Sequence, residues 1–472
     1  MKIEQLYTGC LAHAAYYLES NGEAAIFDPL REVQFYIDKA ALDHAQIKYV
    51  FETHFHADFV SGHLDLAQRV GATIVYGPTA KPSFEAVIAT DNEQFKVGGC
   101  IVKALHTPGH TMESTCYLLI DEEGKEQAII TGDTLFIGDV GRPDLAQHVI
   151  ADLTQDKLAR LLYHSLRTKI MPLSDDLIVY PNHGAGSACG KMMSKETTDV
   201  LGNQKRTNYA LNPDLTEEEF VSVLLKGLTN PPQYFPKNVV MNIQGYDSME
   251  VILDRGLKAY DLKTFLIVVH ETQPLVLDTR KASEFAKGFI PNSINIGLDS
   301  NFAMWVGEMI PDIKQKIVLI ASDAEKVKEA IIRLSRVGYD HAIGYLEGGF
   351  ETWLKADKAV ETVDRIHAAA LQHLVEIQQV PVFDVRKRSE FQSEHLIDAI
   401  NVPLNELQNS FDLFPKDRYF VLHCAGGYRS MIAASLLKQQ GFRNFADVEG
   451  GFNDIKLSSL PLTTYVCPTT LL

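Results

Sequence analysis

The sequence predicts a multidomain α/β protein, and three observations carry that expectation. The chain has 472 residues, more than one hydrophobic core serves, since single cores stop growing beyond about 250–300 residues. Its first half alternates short β-rich runs with polar clusters, and its second half repeats itself. With 46% apolar and 22% charged residues, each of about three domains can bury an ordinary core.

In the first half, Lys48 to Phe51, Ile101 to Leu105, Ala128 to Ile130 and Leu177 to Tyr180 read as strands. They lead into His54, His106 with His110, Asp133 and His183 respectively. The candidate ligands therefore sit on loops at strand ends, where a rigid scaffold converges side chains. Asn230 to Pro236, NPPQYFP, reads as a linker that closes a first domain of residues 1–235.

The repeat aligns LDTRKASEF and NSINIGL, within Leu275 to Leu298, on FDVRKRSEF and DAINVPL, within Val380 to Leu404. It continues with VLIAS on VLHCA and LEGGFETW on VEGGFNDI. Two copies of one α/β unit, at 250–357 and 362–472, account for this pattern.

A formal charge of 44 minus 61, or −17, leaves no excess of positive charge for phosphates or an anionic membrane surface, which argues against nucleic-acid and membrane partners. No apolar run approaches the ~18 residues of a membrane span, and the first residues, MKIEQLYTGCLAH, lack a secretory core. Six cysteines (Cys10, Cys100, Cys116, Cys189, Cys424 and Cys467) without C-x-x-C pairs suit reduced thiols in the cytoplasm.

Thr53 to His63, THFHADFVSGH, sets His54, His56 and Asp58 at metal-ligand spacing, with Phe59 where such a motif carries a further His. A His-x-His-x-Asp-His loop can hold two ions, so the aromatic replacement argues for one. His54, His110 and Asp133 form a two-His, one-carboxylate set that suits a single ferrous ion with open positions. Zinc accepts the same donors, and three protein ligands point to a catalytic site over a structural one. His56, Asp58 and His183 then orient ligands or handle protons. The joint presence of H-x-H-x-D, TPGHT and TGD weighs against unrelated polar residues.

Val421 to Ser430, VLHCAGGYRS, reads as a strand running into a loop from Cys424 through Ala425, Gly426, Gly427 and Tyr428 to Arg429, before a helix near Ser430. Exposed backbone N–H groups, a helix N-terminus and Arg429 would favour a thiolate at Cys424 and cradle a persulfide or sulfite. In the first copy Ala321 stands where Cys424 does and Lys326 where Arg429 does, so that copy has lost its nucleophile. Its expected role is structural.

THFHAD, HTPGHT, TGDTLF and the His183 loop resemble the metallo-β-lactamase fold, an αββα sandwich. Within it, GDVGRPDL (Gly138 to Leu145) and LNPDLTEEEF (Leu211 to Phe220) are similar to persulfide dioxygenases. The resemblance implies one Fe(II) per chain at His54, His110 and Asp133, and oxidation of a thiol persulfide by O2 to sulfite. Arg142 would steady substrate or Asp144, or simply pin its loop. Dioxygenases of the glutathione type follow the His183 position with Asp-Tyr, whereas Gly184 and Ala185 stand here, which implies another low-molecular-weight persulfide. Cys189 in the same loop reads equally as a sulfur relay or a small filler.

The Cys424 loop, with FDVR at Phe383 to Arg386 and EGGF at Glu449 to Phe452, resembles rhodanese sulfurtransferases. Together the units resemble a dioxygenase fused to an inactive and an active rhodanese, which implies sulfur transfer from Cys424 to sulfite, thiosulfate as product, a homo-oligomer and a role in sulfide detoxification. The rival readings are a binuclear thioester hydrolase like glyoxalase II and a non-catalytic sulfur carrier or persulfide sensor.

Overall fold

A computed structural model describes residues 1–145, 153–228 and 230–467; the last five residues expected in the third domain, 468–472, lie outside them. It divides into an N-terminal unit, Met1–Val251 with Ile332–Asp340, and a C-terminal unit, Ile252–Ile331 with His341–Leu472.

The N-terminal unit is built on two six-stranded sheets. The first runs in chain order through Lys2–Thr8, His13–Ser20, Glu23–Phe27, Gln46–Phe51, Thr73–Tyr76 and Val87–Ile88. The second runs from Gln94–Val97 through Cys100–His106, Thr115–Ile120, Glu126–Gly132 and Ile178–Pro181 to Asp199–Val200. Strand alternation decides which side chains go where. Tyr16 and Leu18 join Phe27, Phe51, Tyr117 and Ile130 in the core between the sheets. Their neighbours Ala15 and Tyr17 face outward, onto Tyr36 and Ala40 of the helix Gln34–Leu42 and Leu66 of the helix His63–Val70. The second sheet's outer face, with Leu105, Leu118 and Ile129, takes Leu162 of the helix Gln155–Ser165 and Phe220 of the helix Glu217–Leu225. The result is the αββα sandwich the resemblance implied. Thr216 and Glu219 form the capping box that starts the helix Glu217–Leu225.

The expected linker at Asn230 to Pro236 is not one throughout: a helix begins at Phe235 and runs to Gln244, with Pro236 in its first turn. Proline costs a helix nothing there, because first-turn N–H groups have no intrahelical partner. Asn242, on that helix and buried, donates to the His56 and Phe59 carbonyls, each at 2.8 Å, and accepts from the Ser61 N–H at 2.9 Å. The boundary placed at 235 therefore gives way to a unit that runs to Val251.

The C-terminal unit holds two five-stranded, all-parallel sheets of the same order. One is centred on Leu275–Asp278 and Ile317–Ile320, the other on Val382–Asp384 and Phe420–His423. The internal repeat of the sequence is thus a repeat of topology. No helix among the described residues is long and apolar enough to cross a membrane.

Asn242→Ala leaves two buried carbonyls and one buried N–H of the 56–61 loop without a partner. We expect it to destabilise the N-terminal unit by about 2–4 kcal/mol, read as an earlier first transition in urea unfolding. An unshifted transition would show that the helix does not hold the loop.

Candidate functional site

His54 lies in the loop after Gln46–Phe51, His110 in the turn after Cys100–His106, Asp133 directly after Glu126–Gly132 and His183 after Ile178–Pro181. In the second sheet Cys100–His106, Glu126–Gly132 and Ile178–Pro181 run in one direction, so their loops emerge together. The ligand atoms of His54, His110 and Asp133 lie within 4.8 Å of one another, and all three residues are buried. His110 donates from Nδ1 to the Arg142 carbonyl at 2.8 Å, which leaves the Nε2 lone pair 3.4 Å from Asp133 Oδ2. His54 Nδ1 is 3.0 Å from Thr53 Oγ1. Burial, then the neighbouring His56 and His110, pushes the His54 pKa well down, so it stays a neutral donor. Neither oxygen of the buried Asp133 carboxylate has a hydrogen-bond partner. An unpaired buried carboxylate is costly unless a cation meets it, and this donor set fits a divalent metal.

His56 is turned elsewhere. Its Nε2 lies 2.9 Å from Asp28 Oδ1 and 3.4 Å from Glu52 Oε2. Burial alone would depress its pKa, but these carboxylates raise it well above the ordinary value. Burial raises Glu52 itself to about 7. Phe59 is buried with its ring centroid 4.2 Å from that of His13 and 4.3 Å from that of His56. The aromatic ring occupies the flank of the loop where the motif's further imidazole would stand.

Asp58, His183 and Cys189 form a second buried group, with ligand atoms also within 4.8 Å of one another. His183 Nδ1 donates to the Ala12 carbonyl at 3.0 Å, and its Nε2 lies 3.4 Å from Asp58 Oδ2 and 3.5 Å from Asp133 Oδ1. Cys189 is therefore part of a polar cluster beside the first donor set and not an isolated filler. Burial, then Asp58 and Asp133, pushes its thiol pKa well up. Arg142 makes a two-point ion pair with Asp144, at 2.6 and 2.7 Å, and donates to the Ala188 carbonyl at 3.2 Å. Of the roles the sequence left open, these contacts belong to steadying Asp144 and pinning the loops.

A cavity of about 430 Å³ opens beside His110, walled by Phe55, Ala57, Met112, Val239 and Ile243, with Lys81 and Glu113 at its polar edge. Two of those walls belong to the helix that sequence reasoning read in part as linker. Asp28, Glu52 and His13 were missed as well. The available signals were slight: Glu52 directly precedes THFHAD, and Asp28 ends an apolar strand.

In the C-terminal unit Cys424 is buried at the end of Phe420–His423 and accepts a hydrogen bond from the Gly427 N–H at 3.1 Å. Gly427 has φ +98° and precedes the helix Tyr428–Gln439, which starts slightly before the expected Ser430. Ser430 is buried in that helix's first turn, while Ala425 and the exposed Gly426 form the loop's outer side. Gly451, at φ +58°, lets the EGGF turn approach: a Cβ there would meet the Cys424 carbonyl at 2.4 Å. Arg429 is held by Glu390 in two hydrogen bonds of 2.6 and 2.9 Å, a partner the sequence did not reveal. In the first copy the helix Ala324–Ser335 begins three residues after Ala321, one fewer than separate Tyr428 from Cys424. Lys326 therefore falls one helical position out of step with Arg429, and its Nζ pairs with Glu329 at 2.7 Å. Tyr428 donates from its hydroxyl to the Gly297 carbonyl of that first copy at 2.7 Å.

Two expectations follow. Phe59→His should let the Asp58 and His183 group bind an ion that the native chain holds weakly, raising the metal content of protein dialysed against zinc by about one equivalent per chain; an unchanged content would show that Phe59 does not decide the metal number. In the C-terminal unit, burial raises Asp447 to about 7, with Arg365 at 3.3 Å offsetting only part of the cost. The folded state thus keeps a proton that an unfolded chain releases near pH ~3.9. Stability from this group is present below about pH 4 and is lost as pH rises to about 7. Urea midpoints between pH 4.5 and 7.5 should decline less for Asp447→Asn than for the native chain.

Residues 8–183 match the metallo-β-lactamase superfamily, and residues 266–356 and 367–458 each match the rhodanese-like domain. A metallo-β-lactamase structure from Staphylococcus aureus is 31% identical, with a TM-score of 0.64 and coverage of 73% of this chain and 98% of that one. A probable hydroxyacylglutathione hydrolase from Schizosaccharomyces pombe is 29% identical over 40% of this chain and 71% of its own length. The cytoplasmic hydroxyacylglutathione hydrolase of Arabidopsis thaliana is 36% identical over 30% of this chain. The chain spans only 56% of that plant enzyme. With the sandwich, the donor loops and the doubled parallel sheet in place, the chain belongs to the metallo-β-lactamase superfamily and carries two rhodanese-like domains after its metallo-β-lactamase domain.

Proposed function

We propose that the N-terminal domain is a non-heme iron persulfide dioxygenase, and that the second rhodanese-like domain passes sulfur to the sulfite it releases. The observation that carries this reading is the reduction of the loop's donors to three: His54, His110 and Asp133 converge, His56 is engaged by Asp28 and Glu52, and Phe59 fills the flank. Iron held there would supply adjacent open positions for a soft sulfur donor and O2.

The chain's own residues do the rest. The His110 Nδ1 bond to the Arg142 carbonyl fixes which nitrogen faces inward, and the apolar walls beside His110 give the carrier of the reacting sulfur a surface to pack on. The reaction balances as RSSH + O2 + H2O → RSH + H2SO3. A second persulfide molecule loads Cys424, RSSH + Cys424–SH → Cys424–SSH + RSH, and the outer sulfur then moves to sulfite, Cys424–SSH + SO3²⁻ → Cys424–SH + S2O3²⁻: the Cys424 S–S bond breaks as the S–S bond of thiosulfate forms, and the Cys424 sulfur regains the Gly427 N–H. This coupling suits sulfide detoxification.

A second reading has specific support. The hydroxyacylglutathione hydrolases among the relatives, together with the Asp58, His183 and Cys189 group, favour a binuclear thioester hydrolase. Metal analysis and oxygen-electrode assays separate the two: one iron per chain with O2 uptake on a defined persulfide supports the dioxygenase, whereas two zinc ions with thioester cleavage would overturn it. Cys424→Ser should shift the product from thiosulfate to sulfite while O2 uptake persists. Loss of both would mean that the two sites do not act as independent steps.

A further inference from the structure

We infer that Lys81 is a specificity-determining residue, and that the cavity beside His110 takes a thiol persulfide whose carrier joins an apolar body to a single anionic group, a carboxylate or a phosphate. This deepens the dioxygenase reading and rests on it for the persulfide.

The cavity measures about 430 Å³, within the range of small-molecule sites. His110 is part of its lining, and the reacting sulfur belongs beside that residue. Met112, Val239 and Ile243 offer a bound molecule no hydrogen-bond donor, while Thr79 and Thr111 add two neutral polar side chains to the lining. A charge laid against those three walls would have no partner, and the lining offers an anion one cationic side chain besides His110.

Lys81, which is exposed, is the basic side chain of the lining apart from His110 itself, and among the described residues it makes no ion pair or side-chain hydrogen bond. Its acidic counterpart in the wall, Glu113, is buried and turned to the protein: Oε1 accepts from the Phe55 N–H at 3.0 Å. Glu113 repels an anion from its own side and so leaves Lys81 as the place for one.

The segment that presents Lys81 is anchored at both ends. Ser83 donates its N–H to the Ile243 carbonyl at 2.8 Å, which ties the segment to the helix that walls the cavity. Gly77 is pressed so closely on Thr115 that a Cβ would meet its Oγ1 at 1.7 Å. Between these anchors, the ammonium is a compact charge on a flexible stem, which suits one carboxylate or phosphate at the cavity's edge better than a rigid two-point clamp would.

The test uses the full chain without added metal and titrates mercaptohexanoate, its methyl ester and mercaptohexyl phosphate by calorimetry. Native protein should bind the acid or the phosphate more tightly than the ester, and whichever is tighter identifies the anion. Lys81→Met should weaken the anionic probe by about five- to tenfold, leave the ester unchanged and be rescued by Lys81→Arg. Equal binding of acid and ester, equal losses for both, or no detectable binding of either anionic probe would overturn the inference. O2 uptake by the iron-loaded chain on the matching persulfides is a separate readout. Its absence alone would sink the dioxygenase reading, while the calorimetry still decides the role of Lys81.

Discussion

The buried carboxylate of Asp28 holds the metal-binding edge together. Standing at the end of Glu23–Phe27, it accepts the Thr53 N–H at 2.8 Å, sits 2.9 Å from His56 Nε2, and takes the Asn182 side chain at 2.8 Å on its other oxygen. One side chain thus ties together three segments that are far apart in sequence, one carrying His54 of the donor set and another His183 of the neighbouring group. It does so at φ +49°, a left-handed backbone that aspartate adopts more readily than most non-glycine residues. The same carboxylate decides which imidazole is available, because His56 is bound to Asp28 and His54 is not. The donor set of three is therefore a property of the carboxylate network as much as of the H-x-H-x-D loop.

The two rhodanese-like copies show how one topology carries two different loops. Their sheets share strand order and direction, and each places its loop at the end of the central strand. One residue of loop length separates them. With it, Gly427 reaches a left-handed turn and aims its N–H at Cys424 Sγ; without it, the Ala321 loop enters its helix early and puts Lys326 beside Glu329. The first copy nevertheless touches the second beside the Cys424 loop, through the Gly297 carbonyl and the Tyr428 hydroxyl. Its retention has a physical rationale as a support for the start of the helix that follows Cys424.

The helix Phe235–Gln244 does more than extend a domain. Through Asn242 it satisfies backbone groups of the donor loop that would otherwise be buried unpaired, and through Val239 and Ile243 it closes one wall of the cavity. Loop geometry and pocket shape are thus coupled through a single short element. A change on that helix is felt at the donor loop and at the cavity together.

Much of this was legible in the sequence because it is local or periodic. The β-rich runs, the spacing of His54, His110, Asp133 and His183, the paired FDVR and LDTR motifs and the loop after Cys424 all rest on short-range chemistry, and each motif falls on the loop or strand it implied. What only the tertiary structure decided depends on residues that no spacing connects. Asp28 meets Asn182 across 154 positions, Asn242 meets the His56 carbonyl across 186, and Glu390 meets Arg429 across 39. The linker reading failed for the same reason: proline-rich composition describes how a segment starts, but burial against a distant loop determined that Phe235 begins a packed helix. The sequence by itself determined which donors exist and which strands carry them. The fold decided which donors stay free, since buried carboxylates and aromatic rings brought from elsewhere occupy the others.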